Sequence, residues 1–340
     1  MSGKIRLGKT KDSRTRGKAK PQQADAVLEL QQELKEQSEF TNYLLIKGYG
    51  TATIKSFIRD VGYFTQWLEK ENVPLEQVSY ADVLHYIQSK RLKVKQRTIS
   101  IRVNSLKHYF NFLATTGQAG ENPTTQLQIR GVKRKTFYEL LNRNELESLY
   151  HHFELPKEDT PDKNQNWFKT AVLASKRNKV IVGLMVYQGV TVQELKKLTE
   201  KDVKLREGKV FITGGRKSEE RELTLESHQI LDMMEYQLTT RPAIIEQTNK
   251  QSDKFFISSG GSEYFTNTIQ HLMRKLYKQN SKVTSAKQIR VSVITHWLKL
   301  YNLRQVQHMA GHRYVSSTEA YMVNLMDDLQ EDVTRFHPLN

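Results

Sequence analysis

The sequence predicts a mainly α-helical protein with a small β-sheet, organised as an N-terminal helical bundle and a larger α-rich domain. Three observations lead to this fold class. Apolar residues recur with a helical period through most of the chain, one pair of short alternating segments flanks a polar tip at 213–218, and 340 residues suit two domains. The order of these patterns predicts a disordered basic arm over 1–24, the bundle over 25–119, a basic linker over 120–138 and the second domain over 139–340.

Composition indicates a polyanionic partner. Lys and Arg number 53 against 37 Asp and Glu, a net charge of +16, and such an excess favours binding to phosphates through release of condensed counterions. The alternative is a merely soluble basic protein or a ribosome-associated one. The chain has no cysteine, which excludes disulfides and thiol chemistry, and no apolar run approaches the ~18 residues of a membrane span. With no apolar stretch behind the basic N-terminus, a cytoplasmic location is expected.

The first 20 residues carry eight Lys and Arg against one acid, Asp12, and almost nothing apolar. This composition is typical of disorder. The arm either lies along DNA or is only a solubilising tail.

The bundle is predicted from amphipathic segments of helical period. One begins after Thr51 or Thr53 as N-cap, one begins at Ser79, and one runs from Ile99 to Leu113. With a helical segment before them, they make four helices in under about 100 residues, which is enough for a small bundle.

A basic cluster lies around the start of the last of these segments and continues in the linker. A charged face is usually only solvated, but a basic cluster at a helix start suits phosphate binding. The candidate DNA-binding residues are Lys93, Lys95, Arg97, Arg102, Lys133, Arg134 and Lys135.

In the second domain, helical patterns cover Glu145–Phe153 and Arg177–Tyr187. The segments Lys209–Ile212 and Arg221–Leu225 then predict a β-hairpin with a long polar tip. After the hairpin the pattern is helical almost to the end of the chain.

The C-terminal part of this domain carries residues suited to phosphodiester chemistry. Arg290 begins a helical run, Gly311-His312 ends another, and Tyr321 follows nine residues after His312. Tyrosine attack on phosphorus needs Arg and His donors for the oxygens that gain charge, loss of the phenolic proton, and a general acid for the leaving oxygen. If cations supply the charge, no metal or other cofactor is needed.

Segment 285–321 resembles the tyrosine recombinase, or phage-type integrase, family in its Xer-like form. Lys287-x-x-Arg290, Ala310-Gly311-His312 and Tyr321 correspond to the family's His-x-x-Arg, Leu-Gly-His and nucleophilic tyrosine. The resemblance extends from about residue 30 onwards, and it implies a SAM-like core-binding bundle followed by the recombinase catalytic domain. It also implies catalytic roles for Tyr321, Arg290, His312 and Lys287, with Lys287 in place of the usual histidine.

The chain departs from the family at its first arginine. In the matching segment, Gly189-Val-Thr191-Val-Gln-Glu194-Leu195, that position holds Thr191, which cannot neutralise a phosphate charge. The family's hairpin lysine corresponds to Lys217 or Arg216 at the tip. Lys217 is the better general acid, because arginine hardly deprotonates.

The sequence thus predicts a site-specific DNA recombinase or integrase that cleaves through a 3′-phosphotyrosine at Tyr321. Its expected partners are double-stranded DNA and three further copies of itself, in a homotetramer that passes through a Holliday junction. The apolar stripe from Leu325 to Phe336 packs either on its own domain or on a neighbouring protomer. Because of Thr191, the alternative is a DNA-binding protein of the same fold with impaired or lost cleavage, and a topoisomerase-like activity also fits the chemistry.

Overall fold

The computed structural model describes residues 38–131, 138–157, 164–215, 218–264 and 266–322. The chain divides into two compact units, Met1–Thr136 and Phe137–Asn340. The basic arm and the apolar stripe of the C-terminal tail lie outside the described residues.

The N-terminal unit is a bundle of helices. Helix α1 covers the described residues 38–46, and it is followed by α2 (Thr51–Glu71), α3 (Tyr80–Arg91) and α4 (Gln96–Thr115). Helix α3 begins with a capping box, in which the side chains of Ser79 and Asp82 each accept a hydrogen bond from the other's backbone N–H. The sequence predicts this helix start at Ser79.

The core of this unit is rich in aromatic side chains. Phe64 is completely buried and packs edge-on against Tyr86 and Phe110, with ring centroids 5.0 and 5.9 Å away. Part of the segment predicted as a linker also belongs to this unit, because Leu127 and Ile129 pack against the bundle core.

The second unit begins with α5 (Arg143–His151), α6 (Asn166–Val186) and α7 (Val192–Lys197). A three-stranded antiparallel sheet follows, in the order β1 (Val203–Lys204), β2 (Lys209–Ile212), β3 (Arg221–Thr224). Ile212 pairs with Arg221 at the end of the hairpin nearest its tip.

The rest of this unit is helical. It contains α8 (Ser227–Glu235), a π-helical turn (Tyr236–Thr240), α9 (Arg241–Thr248), α10 (Thr266–Gln279), α11 (Ala286–Leu300), α12 (Leu303–Ala310) and α13, whose described part is 315–322. The prediction of a mainly helical protein with a small sheet is confirmed. Helices α6 and α11 and strands β2 and β3 enclose one core, and the residues singled out in the sequence lie at its edge.

Candidate active site

Arg290 is held at the centre of the site by backbone carbonyls. It lies in the second turn of α11, which Ser285 caps through the N–H of Gln288, and it is only 9% exposed. Its guanidinium donates to the carbonyl of Gly189 and, at 2.6 Å, to that of Ala310. These two bonds fix the guanidinium between the loop after α6 and the end of α12.

The end of α12 is shaped by Gly311. Its φ of +67° is left-handed, and the N–H groups of Gly311 and His312 donate to the carbonyls of His308 and Gln307, which is a Schellman motif. This ending turns the carbonyl of Ala310 towards Arg290 and places His312 directly beside it.

His312 contacts Arg290 through one ring nitrogen and Thr318 through the other. Its Nε2 lies 3.4 Å from Arg290 Nη2, and its Nδ1 lies 2.9 Å from Thr318 Oγ1. Because arginine only donates, Nε2 accepts and the ring proton is assigned to Nδ1. Burial, followed by the charges of Arg290 and Arg221, lowers the pKa of His312 to about 4, so the imidazole is neutral at pH 7.

Tyr321 lies on α13 against the same groups. Its ring stacks on His312, with centroids 5.6 Å apart and planes at 20°, and packs beside Ile294 and Val306. Burial lowers the pKa of Arg290, whereas Glu194 and the Tyr321 hydroxyl raise it, so that hydroxyl lies within electrostatic reach of the guanidinium. Arg290, His312 and Tyr321, which the sequence placed on separate segments, therefore meet at one point.

Thr191 has a structural role at the start of α7. It is the N-cap, and a capping box joins its hydroxyl and N–H to Glu194 at 2.8 Å each, while Glu194 N–H donates back at 3.2 Å. Thr191 thus stabilises the helix that presents Glu194.

Arg221 is the site residue that sequence reasoning missed. It lies on β3 with its side chain fully buried, and its Nη1 donates to Glu194 Oε1 at 2.7 Å. Its Nε donates to the carbonyl of Met309 at 2.8 Å. The available signal was the strand alternation, which places Arg221 on the same inward face as Leu223.

The tip of the hairpin returns to the site. Arg216 and Lys217 lie outside the described residues, but both neighbours of the pair are placed: Gly215 bridges to Ser218, and Ser218 bridges to His312. Glu219 N–H also donates to the carbonyl of Gly311 at 3.0 Å.

Three further lysines of this unit, Lys287, Lys196 and Lys197, each have a neighbour other than Arg290. Lys287, on the first turn of α11, is exposed, and its Nζ lies 5.8 Å from the ring of Tyr138. Lys196 donates to Thr266 at 2.7 Å, and Lys197 Nζ lies against Gly215 of the hairpin.

The basic candidates of the N-terminal unit lie on its surface. Lys93, Lys95 and Arg97 are exposed around the start of α4, and the guanidinium of Arg102 lies 4.9 Å from the ring of Tyr63. Lys93 and Arg102 line one shallow depression, together with Lys70 and Lys90. Lys133, Arg134 and Lys135 lie outside the described residues.

An α-rich domain that gathers a tyrosine, a histidine and a buried arginine beside a β-hairpin defines the class of the tyrosine recombinases. Comparison with known proteins agrees. Residues 139–327 match the phage integrase family and residues 38–117 match the phage integrase N-terminal SAM-like domain. The chain belongs to the phage integrase family.

The chain matches tyrosine recombinases over nearly the whole length of both proteins. Tyrosine recombinase XerC of Oceanobacillus iheyensis is 26% identical over 306 residues, which cover 88% of this chain and 94% of the relative. Tyrosine recombinase XerD of Shewanella oneidensis is 27% identical over 297 residues, 86% and 92% of the two chains. The prediction of an enzyme of the tyrosine-type recombinase class is confirmed.

Solved structures show the same fold. The XerH site-specific recombinase bound to palindromic difH substrate, a post-cleavage complex, superposes with a TM-score of 0.65 at 16% identity and covers 85% of this chain and 81% of its own. A lambda integrase dimer bound to a COC′ core site superposes with a TM-score of 0.57 at 12% identity, covering 84% and 94%. Among the described residues, the helices are too short or too polar to cross a membrane.

Proposed function

We propose that this XerC-like tyrosine recombinase cleaves and rejoins DNA at a specific site, with Tyr321 as nucleophile. The observation that carries the proposal is the convergence of Arg290, His312 and Tyr321, with the His312 ring stacked on that of Tyr321 and bonded to Arg290. Held between two backbone carbonyls, Arg290 is fixed in place before any phosphate binds, and such a preorganised donor is most effective where charge develops in a transition state.

The proposed reaction exchanges one phosphate ester for another. The Tyr321 oxygen forms a bond to the scissile phosphorus, and the bond from phosphorus to the 5′ oxygen breaks. The products are a 3′-phosphotyrosyl link and a free 5′-hydroxyl. Because the ester is conserved, the reverse attack by a 5′-hydroxyl rejoins the strand without ATP, and the protein's cations take the role that a metal would otherwise have.

Two proton transfers accompany this exchange. Tyr321 loses its phenolic proton to water, because both ring nitrogens of the neutral His312 are already engaged, Nε2 by Arg290 and Nδ1 by Thr318. Lys217 or Arg216 donates a proton to the leaving 5′ oxygen, with Lys217 preferred because an ammonium loses its proton more readily. The bridge from Ser218 to His312 supports this role, since it places the residue that follows Lys217 beside the site.

DNA binding is assigned to both units. In the N-terminal unit, Lys93, Lys95 and Arg97 present their charges at the start of α4, where the helix dipole also favours phosphate. Recombination between two duplexes requires four active sites, so we propose a homotetramer on synapsed DNA that passes through a Holliday junction, associated with the nucleoid.

A nicked substrate tests the proposal. A binding site is first selected from random duplexes with the full chain, and duplexes of that site are then nicked so that cleavage releases a short strand and traps the adduct. Wild-type protein is expected to form a covalent complex on a denaturing gel, and Tyr321→Phe is expected to form none. Tight binding of the selected site by wild type without any adduct would instead support a protein that binds DNA but does not cleave it.

A further inference from the structure

The guanidinium of Arg221 is buried inside the site, although Arg221 lies on a strand and outside the motifs named in the sequence analysis. A Cβ added to Gly311 would lie 2.4 Å from Arg221 Nη1 and 2.9 Å from its Cζ. The guanidinium therefore lies directly against the residue that precedes His312. Its charge also lowers the pKa of both Arg290 and His312, behind the larger effect of burial in each case.

Glu194 lies between Arg221 and Arg290. Its Oε1 accepts from Arg221 Nη1 at 2.7 Å, whereas its Oε2 is 4.0 Å from Arg290 Nη1 and accepts from Thr191. Burial raises the pKa of Glu194, but the hydrogen bond and charge of Arg221, with smaller effects of the Thr191 N–H and of Arg290, together outweigh burial and lower the pKa, so the carboxylate is ionised. The closer of the two cations thus neutralises the carboxylate.

The charges of this cluster decide how strongly it can bind a phosphate. Arg221 and Arg290 are positive, Glu194 is negative and His312 is neutral, which leaves one net positive charge. Without Arg221, Glu194 would cancel the charge of Arg290 at short range in a buried site, where such pairing is strong. The cluster would then carry no net positive charge with which to bind a phosphate.

One hydrogen-bond donor of Arg221 has no acceptor among the described residues. This donor is Nη2, which is buried. A buried guanidinium nitrogen without an acceptor is costly, so local hydrogen bonding alone does not account for an arginine at this position.

We propose that Arg221 is the second arginine of the phosphate site: it neutralises Glu194, keeps the charge of Arg290 available to the scissile phosphate, and so offsets the threonine at position 191. This inference rests on the proposed function, because it takes a DNA phosphate as the anion. Arg221 acts through Glu194 and Arg290 and is in that sense a positioning residue.

The test compares a charged with an uncharged scissile linkage. Two nicked duplexes of the selected site differ only in having a phosphodiester or a methylphosphonate at the scissile position. Arg221→Met is expected to slow adduct formation on the phosphodiester by about 10²-fold, the size of effect typical of a lost oxyanion donor, and by less than about tenfold on the methylphosphonate. An equal loss on both duplexes would reduce Arg221 to a structural residue and overturn the proposal, as would no loss on either.

Arg241 provides a matched control. It is also a buried arginine of this unit, paired with Glu200 at 2.6 Å and bonded to backbone carbonyls, but it belongs to α9 and contacts none of the site residues described above. Arg241→Met is expected to change the two rates by the same factor.

Loss of Arg221 removes the cation that hydrogen-bonds to the buried Glu194, and the single variant could fail to fold. The double variant Arg221→Met with Glu194→Gln removes both charges and leaves Arg290 unopposed. It is expected to cleave the phosphodiester at least about tenfold faster than the single variant Arg221→Met. If the single variant is unfolded, the double variant is compared with wild type instead, and its rate is expected to lie within about tenfold of the wild-type rate. A folded double variant that is more than about 10²-fold impaired on the phosphodiester would contradict the proposal.

A binding measurement separates this inference from the proposed function. In a Tyr321→Phe background, which cannot cleave, the preference for the phosphodiester over the methylphosphonate duplex is measured with and without Arg221→Met. Arg221 is expected to increase that preference, and an unchanged preference counts against it. If wild type forms no adduct, the proposed function fails, while this affinity ratio still decides the role of Arg221.

Discussion

At the scale of single residues, Thr191 occupies the position that the sequence comparison with the family's motif matches to an arginine. It caps α7 and bonds Glu194, and the Arg221 guanidinium already occupies the other oxygen of that carboxylate. A threonine here is therefore compatible with a charged and ordered site.

Thr191→Arg tests that reading. Because Arg221 already neutralises Glu194, we expect the added arginine to increase the rate of adduct formation by less than about threefold, while loss of the N-cap costs about 1 kcal/mol of stability. Thr191→Ala, which removes the cap without adding charge, is the control for unfolding. A gain of about tenfold or more would show that the site lacks a cation that Arg221 does not supply.

His312 predicts a pH dependence of stability. The pKa of its imidazole is about 4 in the folded protein, against an ordinary value of 6.5. Above pH 6.5 the ring is neutral in both states and contributes nothing. As the pH falls from 6.5 to 4, the His312 ring binds a proton in the unfolded chain but stays neutral in the folded chain, so the free energy of unfolding decreases.

Urea unfolding at several pH values measures this effect. We expect the decrease between pH 6.5 and 4 to be smaller in His312→Gln than in wild type, because the variant lacks the buried titrating ring. His308→Gln, at an exposed position of α12, is expected to follow wild type. If His312→Gln and wild type decline equally, the ring is not buried and neutral as described.

The residues of the site differed in how far the sequence could reveal them. Arg290, His312 and Tyr321 were predicted because each stands in a short stretch that resembles a motif of the family: Lys287-x-x-Arg290, Ala310-Gly311-His312 and the tyrosine nine residues later. Arg221 was not, because its partner Glu194 is 27 residues away and on another element. Only the folded hairpin brings the two together.

At the scale of elements, the end of α12 organises the site. The left-handed Gly311 sets the direction of the Ala310 carbonyl and the position of His312, and it leaves room for the Arg221 guanidinium. A side chain at this position would be unfavourable for two reasons. The left-handed backbone conformation is costly for residues other than glycine, and the added Cβ would overlap the Arg221 guanidinium.

Gly311→Ala is therefore expected to slow adduct formation by at least about tenfold, because displacing Arg221 and Arg290 misaligns the phosphate site. Gly208→Ala is the matched control: Gly208 also has a positive φ, of +63°, but an added Cβ would only touch Ile230 at 3.5 Å. Both variants should lose about 1–2 kcal/mol from the left-handed conformation, and only Gly311→Ala should lose more than this and lose activity. Equal stability and equal activity of the two would exclude the steric role of Gly311.

Element boundaries were predicted less well than element types. Helix α2 is capped by Gly50 and begins at Thr51, whereas Thr51 or Thr53 was expected as its N-cap, and that expectation was wrong. Helix α6 begins at Asn166, 11 residues before the predicted start at Arg177. Its first turns carry few buried residues, so the apolar period that marks a core-facing helix begins only near Arg177.

At the scale of the whole molecule, the net charge of +16 favours contacts with DNA phosphates. We propose the exposed basic residues at the start of α4 as one of the contacting surfaces. Each cation that contacts a phosphate should contribute about one unit to the slope of log affinity against log salt concentration.

The double variant Lys93→Gln with Arg97→Gln is accordingly expected to lower that slope by about 2 for binding to the selected duplex. Lys107→Gln, an exposed lysine nearly three turns further along α4, should leave it unchanged. An unchanged slope in the double variant, or an equal decrease in the control, would remove this surface from the DNA interface.

The fold class followed from the sequence because helical periodicity, one hairpin and a basic composition are properties of long segments. The arrangement of β3 against α7 and α12, which creates the Glu194–Arg221 pair, depends on contacts between distant segments that periodicity does not encode.

The most direct test of the central claim is to identify the residue that carries the DNA. The covalent complex formed on the nicked duplex is digested with protease and nuclease, and the nucleotide-bearing peptide is sequenced by mass spectrometry. The proposed chemistry predicts a single modified residue, Tyr321, linked to a 3′-phosphate. Attachment at another residue, such as the exposed Tyr314, or at a 5′-phosphate, would contradict it.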